Sequence, residues 1–143
     1  MEIEHAEAVS QGGQVRVAGV EPETLSLVGD GESAGRSWNP ERLYAAALAT
    51  CLHQAVVLAA STGGFDTDDS AVRAEAKLIH DTAQGYSVDA RLSVSLPGVP
   101  AERRQGVVDQ AIHHCPLVDG WTVEVVDDFP AKSRSNPSGK ERP

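Results

Sequence analysis

Residues 39–64 constrain the fold of this chain more than any other stretch. Asn39 is a natural helix cap, Pro40 suits the first helical position, Glu41 sits in the first turn, and Gly63-Gly64 closes the run. Together they predict a helix over residues 40–61. Its body, LYAAALATCLHQAVVLAA, is apolar on nearly every side, whereas a surface helix carries a polar stripe over about half its circumference. Such a helix must be covered, so it is expected at the centre of the fold with the other elements arranged around it.

Strand signals flank it. Val15 and Val17 alternate with polar neighbours after the Gly12-Gly13 turn, and residues 24–28 alternate again, which predicts a β-rich N-terminal arm over residues 2–28. Residues 29–38, GDGESAGRSW, have no periodicity and read as an exposed loop. Residues 70–80 and 86–96 alternate on either side of Gln84-Gly85, the pattern of a β-hairpin with one face in and one out. Pro97, Gly98 and Pro100 end the second strand, and Val107, Val108, Ala111, Ile112 and Cys115 then mark the apolar stripe of a second helix, which Pro116 limits. A last strand spans residues 121–126. The expected organisation is a single α+β domain over residues 1–129, with an antiparallel sheet, a long buried central helix and a second helix, followed by a disordered tail over residues 130–143.

Composition excludes several classes of function. The chain has 143 residues, enough for one core, and a net charge of -9 from 21 acidic and 12 basic residues. Its one dense basic cluster lies in the final dozen residues, so no face is suited to a phosphate backbone and nucleic acid is not an expected partner. The start, MEIEHAEAVS, lacks the basic and apolar regions of a signal peptide, and no apolar run of about 18 residues is present. These features predict a cytoplasmic protein with no membrane span.

The chemistry rests on two cysteines, Cys51 and Cys115, with no CxxC frame. A lone cysteine inside an apolar helix is most often a small core residue. Cys115 changes the balance, because it stands directly before Pro116 at the end of the second helix, where the chain turns and a side chain can be delivered to a neighbour. In a reducing compartment such a thiol pair is more plausibly transient and catalytic than a permanent bridge. His53 lies about 160° around the helix from Cys51 and is expected to bond elsewhere. His113 and His114 beside Cys115 lack the further ligands a zinc site needs, so no metal is expected.

Four ordered motifs carry a resemblance: Asn39-Pro40-Glu41-Arg42-Leu43, then Cys51, then Ser95-Leu96-Pro97-Gly98-Val99, then His114-Cys115-Pro116. Over residues 36–126 the chain resembles the OsmC/Ohr family, and the SLPGV segment is more similar to its organic hydroperoxide resistance branch. The resemblance implies an OsmC-like fold, an intertwined homodimer with the two central helices at its core, and a two-cysteine peroxidase. Cys51 then matches the cysteine that attacks the peroxide, and Cys115 the resolving cysteine that captures the sulfenic acid. It implies no bound cofactor, an organic hydroperoxide as substrate, and an external dithiol reductant, lipoyl-based in that family.

Burial disfavours a thiolate, so a nucleophilic cysteine in an apolar helix needs a cation close by, and the family supplies an arginine held by a glutamate. Glu41 matches the glutamate. Glu41 and Cys51 lie about 15 Å apart along one helix, so Glu41 is expected to serve the Cys51 of the other subunit. The arginine departs from the family pattern: Gln11 or Gln14 stands near the expected basic position, which leaves Arg16 on a predicted strand, or Arg36 in the loop before Asn39. Trp38, Tyr44, Leu48 and Phe65 are the candidate apolar walls of a substrate pocket. Two other readings compete: a redox-sensing or small-molecule-binding protein of the same fold that does not turn over peroxide, supported by the displaced arginine, and a structural dimer with inert cysteines.

Overall fold

The computed structural model describes residues 1–2, 4–26 and 37–129. These form two compact units that divide after Leu43. The expected tail over residues 130–143, most of the 29–38 loop and Arg36 lie outside the described residues.

The first unit holds a three-stranded antiparallel sheet of β1 (Ala8–Gln11), β2 (Gln14–Val17) and β3 (Thr24–Ser26) in that spatial order. Gln11 pairs with Gln14 across the Gly12-Gly13 turn, and Val15 pairs with Leu25. Val15, Val17 and Leu25 are half-buried while their polar neighbours are exposed, the alternation expected of a sheet with one covered face. The third strand is described to Ser26, with Val28 outside the described residues.

Helix α1 (Pro40–Thr62) opens as its sequence dictates. Asn39 Oδ1 accepts the backbone N–H of Arg42 at 2.8 Å, satisfying an N–H that the first turn leaves without a carbonyl, and the Arg42 guanidinium reaches back to the Ser37 carbonyl. At the other end the N–H groups of Gly63 and Phe65 bond the Ala59 and Ala60 carbonyls as the chain turns away.

The second unit is built on a hairpin of β4 (Ala71–Asp81) and β5 (Gly85–Ser95), with Ala74 opposite Leu92 and Val72 opposite Val94. Helix α2 (Ala101–His113) follows, then a 3₁₀ turn (Pro116–Val118) and β6 (Thr122–Val126). Strand β6 runs parallel to β5, so the sheet is mixed and not antiparallel throughout as expected. The connection explains this: α2 is a crossover that carries the chain back so that β6 starts opposite Arg91, midway along β5, and parallel pairing requires such a crossover.

One apolar cluster unites Leu48, Leu52, Val56, Ala59 and Ala60 of α1 with Ala90, Leu92 and Val94 of β5 and Val107, Val108 and Ala111 of α2, all buried. Each fully buried Leu or Val contributes about 1.5–3 kcal/mol relative to exposure. The cover is one-sided. Ala46, Ala47, Thr50, Gln54 and Leu58 are exposed, Leu58 at 63 %, so within one chain α1 is buried along one stripe and not all round. By length and composition α1 could also cross a bilayer, despite its His53-Gln54 interruption, but its apolar stripe is occupied by the chain's own sheet and second helix, the arrangement of a core helix.

The turn between β5 and α2 is fixed at both ends. Gly98 lies against the Asp66 carbonyl so closely that a Cβ there would overlap it, which is why the SLPGV turn takes glycine. The next residue, Val99, offers its carbonyl to Arg104 Nε at 2.7 Å, and Arg104 also pairs with Asp127 at 3.4 Å just beyond β6.

Candidate active site

Helix α1 carries Cys51 half-buried between the core residues Leu48 and Leu52. Cys115 is 1 % exposed and belongs to the core cluster. It was expected at the end of the second helix, but α2 ends at His113, and Cys115 adopts an extended conformation immediately before the 3₁₀ turn. Pro116 is the reason: its ring excludes the helical conformation from the residue before it. Freed from the helix, Cys115 is aimed across at α1, and its Sγ lies 2.6 Å from Cys51 Sγ, both thiols being free.

Burial pushes the Cys115 thiol up from its ordinary 9.0 to about 11, the hydrogen bond and the charge of Cys51 adding to the rise, while the backbone N–H groups of Leu117 and Val118 oppose it. At neutral pH Cys115 therefore holds its proton.

The remaining sequence-derived residues are dispersed. Tyr44 packs on the core cluster and its hydroxyl accepts the indole N–H of Trp121 at 2.8 Å. Leu48 is fully buried, which makes it core and not an open wall. Phe65 lies beyond the C-terminal end of α1, about 27 Å along the axis from the level of Tyr44, where it lines an open groove of about 310 Å³ with Arg103 over its ring at 5.3 Å. Trp38 belongs to the first unit and is 39 % exposed. The second unit thus does not gather Tyr44, Leu48 and Phe65 into one pocket. Glu41 is half-buried in the first turn of α1, and Arg16 lies on β2, where with Gln11 and Gln14 it lines a second groove of about 310 Å³.

His53 bonds away from the thiols. Its Nε2 lies 2.9 Å from Ser70 Oγ, and since the Ser70 hydroxyl donates to the Thr67 carbonyl at 2.8 Å, His53 is the donor and ties α1 to the loop before β4. Trp121 is the contributor to this region that the sequence did not single out. It follows the Cys115 segment at the start of β6, and only a tertiary contact brings it to Tyr44.

Comparison with known proteins agrees with this architecture. An OsmC-like protein family model matches residues 29–120. Among curated proteins, the organic hydroperoxide resistance protein OhrA of Bacillus subtilis is 35 % identical over 82 residues, 57 % of this chain and 57 % of that protein. The peroxiredoxin OsmC of Escherichia coli is 29 % identical over 98 residues, 66 % of this chain and 68 % of that protein. The match to OhrA thus covers little more than half of that relative's length. In three dimensions the chain resembles an organic hydroperoxide resistance protein from Legionella pneumophila with a TM-score of 0.72 and 21 % identity, over 87 % of this chain and 98 % of that one. OhrB of Bacillus subtilis superposes with a TM-score of 0.68 at 23 % identity, over 85 % of this chain and 96 % of that one. With its family model matched over most of its length and the fold shared with these structures, the chain belongs to the OsmC-like protein family.

Proposed function

We propose that this protein is a thiol peroxidase that reduces organic hydroperoxides to alcohols. The supporting observation is the contact of the two free sulfurs at 2.6 Å, Cys115 buried with its proton retained and Cys51 half-buried on α1. In the first step the Cys51 thiolate attacks the distal peroxide oxygen; the O–O bond breaks, Cys51 becomes a sulfenic acid, and the alkoxide leaves and takes a proton from solvent as the alcohol. In the second step Cys115 sulfur displaces water from the sulfenic acid, forming the Cys51–Cys115 disulfide. An external dithiol, lipoyl-based by family resemblance, then reduces the disulfide, and no bound cofactor takes part.

Activation of the thiolate falls to Glu41 and an arginine, Arg16 in preference to Arg36, with Glu41 serving the Cys51 of a partner subunit. Trp38 and Tyr44 are the aromatic candidates for contact with the alkyl group. The exposed, largely apolar stripe of α1 supports a homodimer in which two copies of this helix cover one another. A thiol pair that cycles between dithiol and disulfide suits a reducing compartment, so we place the protein in the cytoplasm.

Stopped-flow measurement of cumene hydroperoxide loss, with dihydrolipoamide as reductant, tests this reading. Wild type is expected to consume peroxide catalytically, Cys51→Ser not at all, and Cys115→Ser for one equivalent before Cys51 is over-oxidised. Equal rates for wild type and Cys51→Ser would exclude it. A Cys51–Cys115 disulfide that forms without peroxide turnover would favour a redox sensor.

A further inference from the structure

The segment that carries Cys115 is braced on α1 at two points, and only one of them is the thiol pair. The other is the hydrogen bond from Trp121 Nε1 to the Tyr44 hydroxyl, 2.8 Å long, with the two rings edge-to-face at 6.4 Å between centroids. Tyr44 and Cys51 are seven residues apart on α1, hence about 10 Å apart along its axis and within roughly 20° of the same face. Cys115 and Trp121 are joined by a chain of tight turns. The N–H of Cys115 bonds the Ile112 carbonyl at 3.1 Å, that of Val118 the Cys115 carbonyl at 3.3 Å, and that of Trp121 the Val118 carbonyl at 3.0 Å. Gly120, at φ 86°, makes the last bend before β6, a conformation that a side chain would strain. Each turn begins on the residue that closes the one before it, so a shift of the Trp121 indole is transmitted through the backbone to Cys115.

We propose that the Tyr44–Trp121 hydrogen bond is a positioning device for the resolving thiol. It pins the 115–121 segment in register on α1 and so sets how readily Cys115 closes onto Cys51. In that role Tyr44 and Trp121 are positioning residues and take no part in the attack on peroxide. The inference rests on the peroxidase reading only for its consequence in catalysis. With the pin intact, Cys115 meets the Cys51 sulfenic acid and water leaves as the disulfide forms. With the pin broken, the sulfenic acid persists, and a second hydroperoxide oxidises it to sulfinic acid while being reduced to alcohol.

The test compares wild type, Tyr44→Phe, Trp121→Phe, the double variant, and Val123→Ala as a β6 control for lost stability. Two quantities are measured in each: the equilibrium of the Cys51–Cys115 disulfide with dithiothreitol, and the fraction of Cys51 found by mass as sulfinic acid after excess cumene hydroperoxide. Each single variant is expected to weaken disulfide formation by about three- to tenfold, the scale of one hydrogen bond. The double variant is expected to be no worse than the poorer single one, because both remove the same bond. The sulfinic fraction should rise in parallel with the loss of disulfide. A wild-type disulfide equilibrium in both single variants, or an equal loss in Val123→Ala, would overturn the proposal. Should Trp121→Phe fail to fold, Tyr44→Phe decides alone, since it removes one hydroxyl and keeps the ring. Because the dithiothreitol equilibrium needs no peroxide, a wild-type protein inert to hydroperoxide would sink the peroxidase reading while leaving the pin to be judged separately.

Discussion

At Cys115 a single burial produces two consequences, one for reactivity and one for stability. With its thiol at about 11 against an ordinary 9.0, Cys115 keeps its proton across the neutral range. The same rise is a linkage term. Below about pH 9 the folded and unfolded chains both keep this proton, and the stabilisation is fully present. As the pH climbs from 9.0 through about 11 the unfolded chain loses the proton first, and stability falls. Urea denaturation midpoints are therefore expected to drop more steeply over that window in the wild type than in Cys115→Ala. Parallel pH profiles for the two proteins would show that Cys115 makes no such contribution.

Among the elements, the turn between β5 and α2 holds more structure than its length suggests. Arg104 joins three parts of the second unit: its own helix, the Val99 carbonyl and Asp127 beyond β6. Arg104→Met keeps the aliphatic stem and removes the donors, so the Val99 carbonyl loses a charged partner; a loss of about 1.5–3 kcal/mol in chemical denaturation is expected. Gly98→Ala sets a Cβ against the Asp66 backbone, which cannot give way as a flexible side chain would. A cost of about 1–3 kcal/mol is expected there from overpacking, read as a lower melting temperature. If Gly98→Ala melts with the wild type, the loop before β4 is more compliant than its packing indicates.

For the whole molecule, the open face of α1 is the feature a lone chain leaves unresolved. Leu58, at 63 % exposure, stands in a row with Ala46, Ala47, Thr50 and Gln54 along a helix whose other face is sealed. A large apolar side chain in such a stripe is an economical target. Leu58→Glu is expected to convert a dimer to a monomer at micromolar concentration in sedimentation analysis, without unfolding the second unit. A wild type that sediments as a monomer would remove the dimer, and with it the contribution of Glu41 to a partner's Cys51.

The long helix, the hairpin and the second helix were legible because their determinants are local. Asn39 and Pro40 start α1 by satisfying or lacking backbone donors, alternation assigns the faces of β4 and β5, and Pro116 expels Cys115 from α2. The two cysteines were legible as a pair through motif resemblance. The parallel pairing of β6 was not, because strand direction depends on where a crossover returns the chain and not on the pattern within the strand. Nor was Trp121, whose partner Tyr44 is 77 residues away in sequence. Sequence thus determined the elements and the residue types of the chemistry, whereas tertiary structure alone decided the direction of β6, the contact between the two sulfurs and the pairing of Trp121 with Tyr44. These depend on distances between elements, which no local pattern encodes.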